Sequence, residues 1–312
     1  MNPRSFPRHM RSFGDVRLAE GLIAELNEKL AAQAKAINAA SAVILSAEAL
    51  YTRIRWHKKK RYSAYINSLG DHLSIAAYLR SPVKAYLSVC QQKLKASKEL
   101  SSIFPVRYKR VIQSYQETFP AAAITLVPFE RQSLISQDIV ADFCQRFLSA
   151  TCLEPSMLQR ADDSNVSLSA ESMAMSMLYR RAFWPNHDDI HTADSHKIFG
   201  LLRRADRHVR AVRPSLRDEV RHEIETLASN DLLWLRGKYG IVFEDINYDD
   251  LQRLTIVLPF RRRPKLLSEI VKLDQAKILE IIDFLASKFF FRKSAARLDW
   301  LKMVSSSSVA SI

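Results

Sequence analysis

The feature of this chain that most restricts its fold is an alternation of short apolar segments with amphipathic ones between residues 42 and 148. The apolar segments are 42–46, 73–79 and 121–127. The amphipathic segments, whose apolar residues recur at helical spacing, are 82–96, 108–118 and 133–148. Strands that are almost wholly apolar belong to sheets covered on both faces. The order therefore predicts an α/β fold, with a parallel sheet between helices in three layers.

The remainder of the sequence indicates helices. Helical periodicity is found at 16–37, 169–181, 196–212, 214–228 and 265–290. We expect a disordered N-terminus over residues 1–15 and one domain over residues 16–250, mostly helical from about residue 165. Residues 251–312 are expected to form a helical extension that ends in a serine-rich tail.

The formal net charge of +14 predicts anionic partners such as nucleotides, sulfated or phosphorylated glycans, or nucleic acid. The densest basic runs are His57 to Arg61 and Arg261 to Arg263. No apolar run approaches the roughly 20 residues that a membrane span needs, so no membrane span is expected. The three cysteines have neither disulfide-framework nor metal-site spacing, which favours reduced thiols in the cytoplasm.

A candidate anion site follows the second apolar segment. Arg80 comes directly after this predicted strand, and Ser88 lies two turns into the helix that begins at Pro82. Ligands of parallel sheets bind at the carboxyl ends of strands. An arginine fork and a serine hydroxyl at such an end are suited to holding a phosphate.

The segment from Tyr78 to Lys95 reads Tyr-Leu-Arg-Ser-Pro, then Ser88, then Gln-Gln-Lys-Leu-Lys, and it resembles the 3′-phosphate-binding segment of sulfotransferases. Segments that resemble the bacterial sulfotransferase-like family in particular are 43–48, 165–169, 231–235 and 239–243. The resemblance implies a P-loop nucleotide-binding fold and 3′-phosphoadenosine 5′-phosphosulfate as sulfate donor. It assigns Arg80 and Ser88 to the 3′-phosphate and implies a carbohydrate or related hydroxyl as acceptor. Glu48 occupies the position at which related enzymes place the catalytic base.

One part of the family pattern is missing from this sequence. The family's 5′-phosphosulfate loop contains lysine, glycine and threonine, and no such loop precedes Val16. The chain has only six glycines and no Gly-x-x-x-x-Gly-Lys-Ser/Thr motif. That loop would neutralise charge on the leaving phosphate, so we expect this chain to transfer sulfate poorly or not at all.

Two other functions stay open at this point. The net charge and the basic cluster from Trp56 to Arg61 are compatible with a protein that binds nucleic acid or another polyanion, although no recognised nucleic-acid motif is present. Alternatively, the helical half could serve as a non-catalytic interaction surface. A group of histidines and aspartates is interpreted as a solvated loop rather than a metal site; its members are His187, Asp188, Asp189, His191 and His196.

Overall fold

The structure is a computed structural model. It describes residues 59–104, 106–149, 167–186, 188–192, 194–251 and 262–289, with isolated positions at 25, 28–29, 43–46, 51, 54 and 156. The expected disordered N-terminus and serine-rich tail lie outside the described residues. Of the helix expected at 16–37, the described positions Glu25, Glu28 and Lys29 are helical.

The described part of the chain is a mixed α/β structure. Its strands are β1 (Ser74–Leu79) and β2 (Ala123–Pro128). Its helices are α1 (Lys59–Asn67), α2 (Pro82–Leu94), α3 (Tyr108–Thr118), α4 (Ile139–Phe147), α5 (Ala170–Phe183), α6 (Ser195–His208), α7 (Asp218–Tyr239), α8 (Tyr248–Leu251) and α9 (Gln275–Phe289). Short 3₁₀ turns occur at Arg131–Ser133, Ile135–Gln137 and Leu267–Glu269.

The two strands pair in parallel, as the alternation of segments predicts. Ser74 lies opposite Ala123, and Leu79 lies opposite Pro128. Parallel neighbours need a crossover connection, and here α2 and α3 provide it. Because the strands run in the same direction, their carboxyl ends meet at one edge of the sheet.

The prediction of a third buried strand at 42–46 is wrong for its described residues. Positions 43–46 have no regular secondary structure, and Ile44 is 51% exposed. Among the described residues, one face of the sheet is exposed at Ala76 of β1 and Thr125 of β2. A short apolar run such as 42–46 becomes a strand only when a neighbouring strand edge receives its backbone hydrogen bonds, and among the described residues the sheet consists of β1 and β2 alone.

The hydrophobic core lies mainly in the helical half of the chain. Helix α5 is at its centre, since every residue from Ala170 to Arg180 is buried. It packs against α2, α6 and α9. Its polar side chains must form hydrogen bonds to be tolerated there; the hydroxyl of Ser172 donates to Asp206 at 2.6 Å, and Arg180 donates to the Ala96 carbonyl at 2.7 Å.

Two further observations concern the cysteine thiols and the length of the apolar helices. The thiols of Cys90 and Cys144 are buried and form no disulfide, and burial raises the pKa of the Cys90 thiol. Within the described ranges, no helix has the length and apolar character that crossing a membrane requires.

Candidate functional site

Arg80 is held at the carboxyl end of β1 by contacts on both its backbone and its side chain. Its carbonyl accepts a 2.5 Å hydrogen bond from the hydroxyl of Tyr108, at the start of α3. Burial raises the pKa of this tyrosine, so its hydroxyl stays protonated as a donor. The Arg80 guanidinium lies over the ring of Phe129, 4.9 Å from its centroid, in a cation–π contact. Since Phe129 follows β2 directly, the arginine is supported by both strand ends.

Arg80 and Ser88 meet, as the sequence suggested that they could. Nη1 of Arg80 donates to Oγ of Ser88 at 2.9 Å. The serine lies two turns into α2 and is half-buried, whereas the arginine is exposed. The guanidinium therefore runs along the flank of α2, and a ligand reaching this pair would approach from solvent.

The N-terminus of α2 is capped by the chain itself. The hydroxyl of Ser81 accepts from the backbone amide of Lys84 at 3.3 Å and donates to Oδ2 of Asp245 at 2.7 Å. Pro82 occupies the first turn, where its missing N–H costs no hydrogen bond. A carboxylate is favoured at this end of a helix by the helix dipole. Any external anion would have to compete with Asp245 for that position.

Lys84 is neutralised by two carboxylates. Its ammonium group lies 2.7 Å from Oε1 of Glu130 and 3.7 Å from Oδ1 of Asp245. Glu130 is buried, and its other oxygen accepts from the backbone amide of Glu244 at 3.1 Å. Burial by itself would lower the pKa of Lys84, but the hydrogen bond to Glu130 and the charge of Asp245 outweigh it and raise that pKa.

The two cations at this edge of the sheet therefore differ in what they can bind. Lys84 forms ion pairs with Glu130 and Asp245. Arg80 contacts a hydroxyl and an aromatic ring, and among the described residues no carboxylate pairs with it. Guanidinium carries five N–H donors, so donors not used by Ser88 remain for an incoming anion.

Sequence reasoning did not assign roles to Glu130 and Asp245, although both determine the charge at this edge. Glu130 had a usable signal, because it comes two residues after Pro128, the last residue of β2. Asp245 had none, since it lies in the loop between α7 and α8 and reaches the site only through the tertiary fold.

Two other sequence predictions concern residues near the limits of the described structure. Glu48, the candidate base, lies outside the described residues. In the segment with histidines and aspartates, Asp188 is exposed and accepts from the hydroxyl of Ser97 at 2.5 Å and from the amide of Lys98 at 3.2 Å. Asp188 therefore holds the segment that follows α2, at Ser97 and Lys98. Across the part of the chain that the structure describes, no group of three or more acidic, histidine or cysteine side chains is arranged to hold a metal ion.

Comparison with known proteins does not connect this arrangement to a family. The chain matches no protein-family model, no curated protein and no solved structure. The function of the site is therefore inferred from its own geometry and from the residues that build it.

Proposed function

We propose that this chain is a sulfotransferase-like protein of a three-layer P-loop type that binds a 3′-phosphorylated adenosine nucleotide. Arg80 and Ser88 hold the 3′-phosphate, and the acceptor class is a carbohydrate or related hydroxyl. Sulfate transfer is impaired, because the sequence contains no loop of the 5′-phosphosulfate-binding type. The observation that carries the proposal is the 2.9 Å hydrogen bond between Arg80 Nη1 and Ser88 Oγ at the carboxyl end of β1. It supports the assignment because the two side chains proposed to bind the phosphate are adjacent in the fold, although they are eight residues apart in sequence.

The charge balance at this edge also favours Arg80 as the phosphate ligand. An anion gains most from a cation whose charge is not already compensated, and Lys84 is compensated by Glu130 and Asp245. The contact of Arg80 with Phe129 fixes the guanidinium plane, so less side-chain entropy is lost when a phosphate binds. Ser88 can then turn its hydroxyl proton from solvent toward a phosphate oxygen.

The proposal is tested by titrating 3′-phosphoadenosine 5′-phosphate against the full chain, with adenosine 5′-phosphate beside it. We expect the 3′-phosphate to tighten binding. Arg80→Ala should weaken binding of the 3′-phosphorylated nucleotide at least about tenfold, because a charge-assisted hydrogen bond is removed. Arg80→Lys should restore part of the affinity, since lysine keeps the charge without the fork.

Arg110→Ala is the matched control, because it removes one exposed arginine from α3. It should leave nucleotide binding unchanged. Equal affinity of the original chain for the two nucleotides would refute the proposal, as would an Arg80→Ala variant that binds them as the original chain does.

A further inference from the structure

A second basic surface lies far along the chain from Arg80. Six of the fifteen residues from 203 to 217 are arginines, and one residue in this stretch, Asp206, is acidic. Helix α6 presents part of the stretch, and the loop before α7 presents the rest. Four of the arginines are exposed and are called here the arginine surface: Arg204, Arg207, Arg210 and Arg213.

The charges of the arginine surface are not neutralised within the described structure. No described carboxylate pairs with any of its four members. In each of the two basic runs that stand out in the sequence, by contrast, at least one cation is paired with a carboxylate. Lys59 pairs with Glu117 at 2.5 Å, and Arg262 pairs with Glu223 at 3.3 Å.

Three acidic side chains of this part of the fold are engaged in contacts of their own. Asp206 turns inward and accepts from the amide and hydroxyl of Ser169, which caps α5, at 2.9 and 2.7 Å. Asp274 accepts from the amide of Ala276 at 2.9 Å at the start of α9. Glu280 pairs with Lys277 at 3.0 Å.

The arginine surface continues into a shallow cleft of about 220 Å³. Arg213 and Lys272 line it from opposite loops, as do the acidic residues Glu171 and Asp274. The Glu171 carboxylate accepts from the backbone amide of Asp274 at 3.1 Å. Val212, also on the rim, is 79% exposed. Lys272 thus adds an exposed cation to the four arginines, from a part of the chain close to α9.

Arg210 has a backbone conformation that is uncommon for residues other than glycine. Two residues after α6 ends, Arg210 lies in the left-handed region at a φ of 49°. The next amide, that of Ala211, donates to the carbonyl of Asp206 at 2.8 Å. Glycine is preferred at this position, because a side chain there adds steric strain. Arginine at this position is therefore less favourable than glycine would be, and its exposed side chain adds a positive charge to the surface.

We propose that the arginine surface binds the phosphate backbone of nucleic acid without sequence specificity. Arginine forks match phosphate oxygens bidentately, and Arg204 and Arg207 lie on one helix face, about 4.5 Å apart along its axis. A membrane is disfavoured as partner, because the apolar face of α6 is buried through Phe199 and Leu202 and cannot enter a bilayer. The proposal is independent of the nucleotide site at Arg80.

The test uses the full chain and a short mixed-sequence DNA duplex over a salt series. We expect binding whose log K falls steeply with log salt. Combined Arg204→Ala, Arg207→Ala and Arg213→Ala should weaken binding at least about tenfold and reduce the salt slope by about one for each phosphate that is no longer neutralised. The charge-matched control combines Lys109→Ala, Arg110→Ala and Arg131→Ala, exposed positions on α3 and on the 3₁₀ turn after β2, and should retain most of the affinity.

Arg210→Gly separates binding from folding. Glycine removes the left-handed strain, so Tm should rise by about 2 °C or more while DNA affinity falls. Equal weakening by both triple variants would show that bulk charge alone is responsible and would overturn the proposal. Binding to phosphatidylserine vesicles or to heparin, without binding to DNA, would also overturn it. Arg80→Ala should leave DNA binding intact, so this proposal and that for the nucleotide site fail separately.

Discussion

Ser81 donates a 2.7 Å hydrogen bond to Asp245, a residue 164 positions later in the chain. The contact fastens the N-terminus of α2 to the loop between α7 and α8. The same loop is held from the other side, because Arg221 of α7 donates to the carbonyl of Asp245 at 2.7 Å. The strand-bearing part and the helical part of the chain are thus joined at the edge where Arg80 lies.

Replacing Asp245 by alanine is expected to destabilise the fold. The variant leaves the hydroxyl of Ser81 without its acceptor and removes one of the two carboxylates that compensate Lys84. We expect a decrease of about 1–3 kcal/mol in the free energy of unfolding, measured by urea denaturation. Asp249→Ala, an exposed carboxylate on α8, is the control and should cost less than about 0.5 kcal/mol. Equal decreases would mean that the Ser81–Asp245 contact does not join the two parts.

Much of the helical pattern could be predicted because its signals are local. Pro82 and the serine before it mark the start of α2, and the apolar period marks α3 from Tyr108 to Thr118. The predicted helix at 133–148 begins later, at Ile139. The helix cannot begin earlier, because Ser136 and Gln137 have positive φ values. Asp138 then caps the helix N-terminus.

The polar contacts that organise the fold could not be predicted, since the groups that make them are distant in sequence. Asp231 of α7 accepts from the amide of Lys109 at the start of α3, at 3.2 Å. Asp206 does the same for Ser169 at the start of α5. Capping rules search the residues next to a helix start, whereas these carboxylates arrive from more than 30 positions away. Arg80 and Ser88 could be predicted as a pair because they are only eight residues apart. The role of Asp245 could not be predicted, because its partner Ser81 lies 164 positions earlier.

A pH-dependent contribution to stability is expected from Asp142. Its side chain is fully buried and accepts from the hydroxyl of Tyr78 at 2.7 Å, the amide of Ile135 at 2.8 Å and Nε of Arg146 at 2.9 Å. Burial by itself would raise the pKa of Asp142, but these donors outweigh it and lower the pKa below its ordinary value of 3.8. The folded state therefore binds the proton less tightly than the unfolded state. The stabilisation is present above pH 3.8 and is lost as the pH falls through the lowered pKa.

Asp142→Asn tests this expectation. Near neutral pH the variant should lose about 2 kcal/mol in the free energy of unfolding, because an amide cannot accept from all three donors. As the pH falls below about 4, the difference from the original chain should shrink. Chemical denaturation at several pH values measures it. Asp71→Asn, at an exposed position before β1, is the control and should cost less than about 0.5 kcal/mol near neutral pH. A deficit for Asp142→Asn that stays constant at every pH would contradict the assignment.

Arg180 is expected to be essential to the helical half. It is 1% exposed and donates to the carbonyls of Ala96 at 2.7 Å and Ile190 at 3.1 Å. Arg180→Leu would leave these carbonyls buried without that donor, at a cost of about 3 kcal/mol. Arg110→Leu, at an exposed position of α3, is the control and should change the free energy of unfolding by less than about 0.5 kcal/mol. The two costs are compared by denaturation, and a smaller cost for Arg180→Leu would refute the expectation.

The same substitution should have opposite effects at two glycines of the α7 C-terminus. Gly240 follows the helix with a φ of 66°, and no atom lies within 4 Å of a Cβ placed there. Gly240→Ala should therefore destabilise the chain by about 1 kcal/mol through backbone strain alone. Gly237 lies inside the helix and has equal space around it, so Gly237→Ala should stabilise by about 0.5–1 kcal/mol through helix propensity. Thermal and urea denaturation of the pair measure both signs. Destabilisation by Gly237→Ala would show that α7 does not extend to Tyr239 in solution.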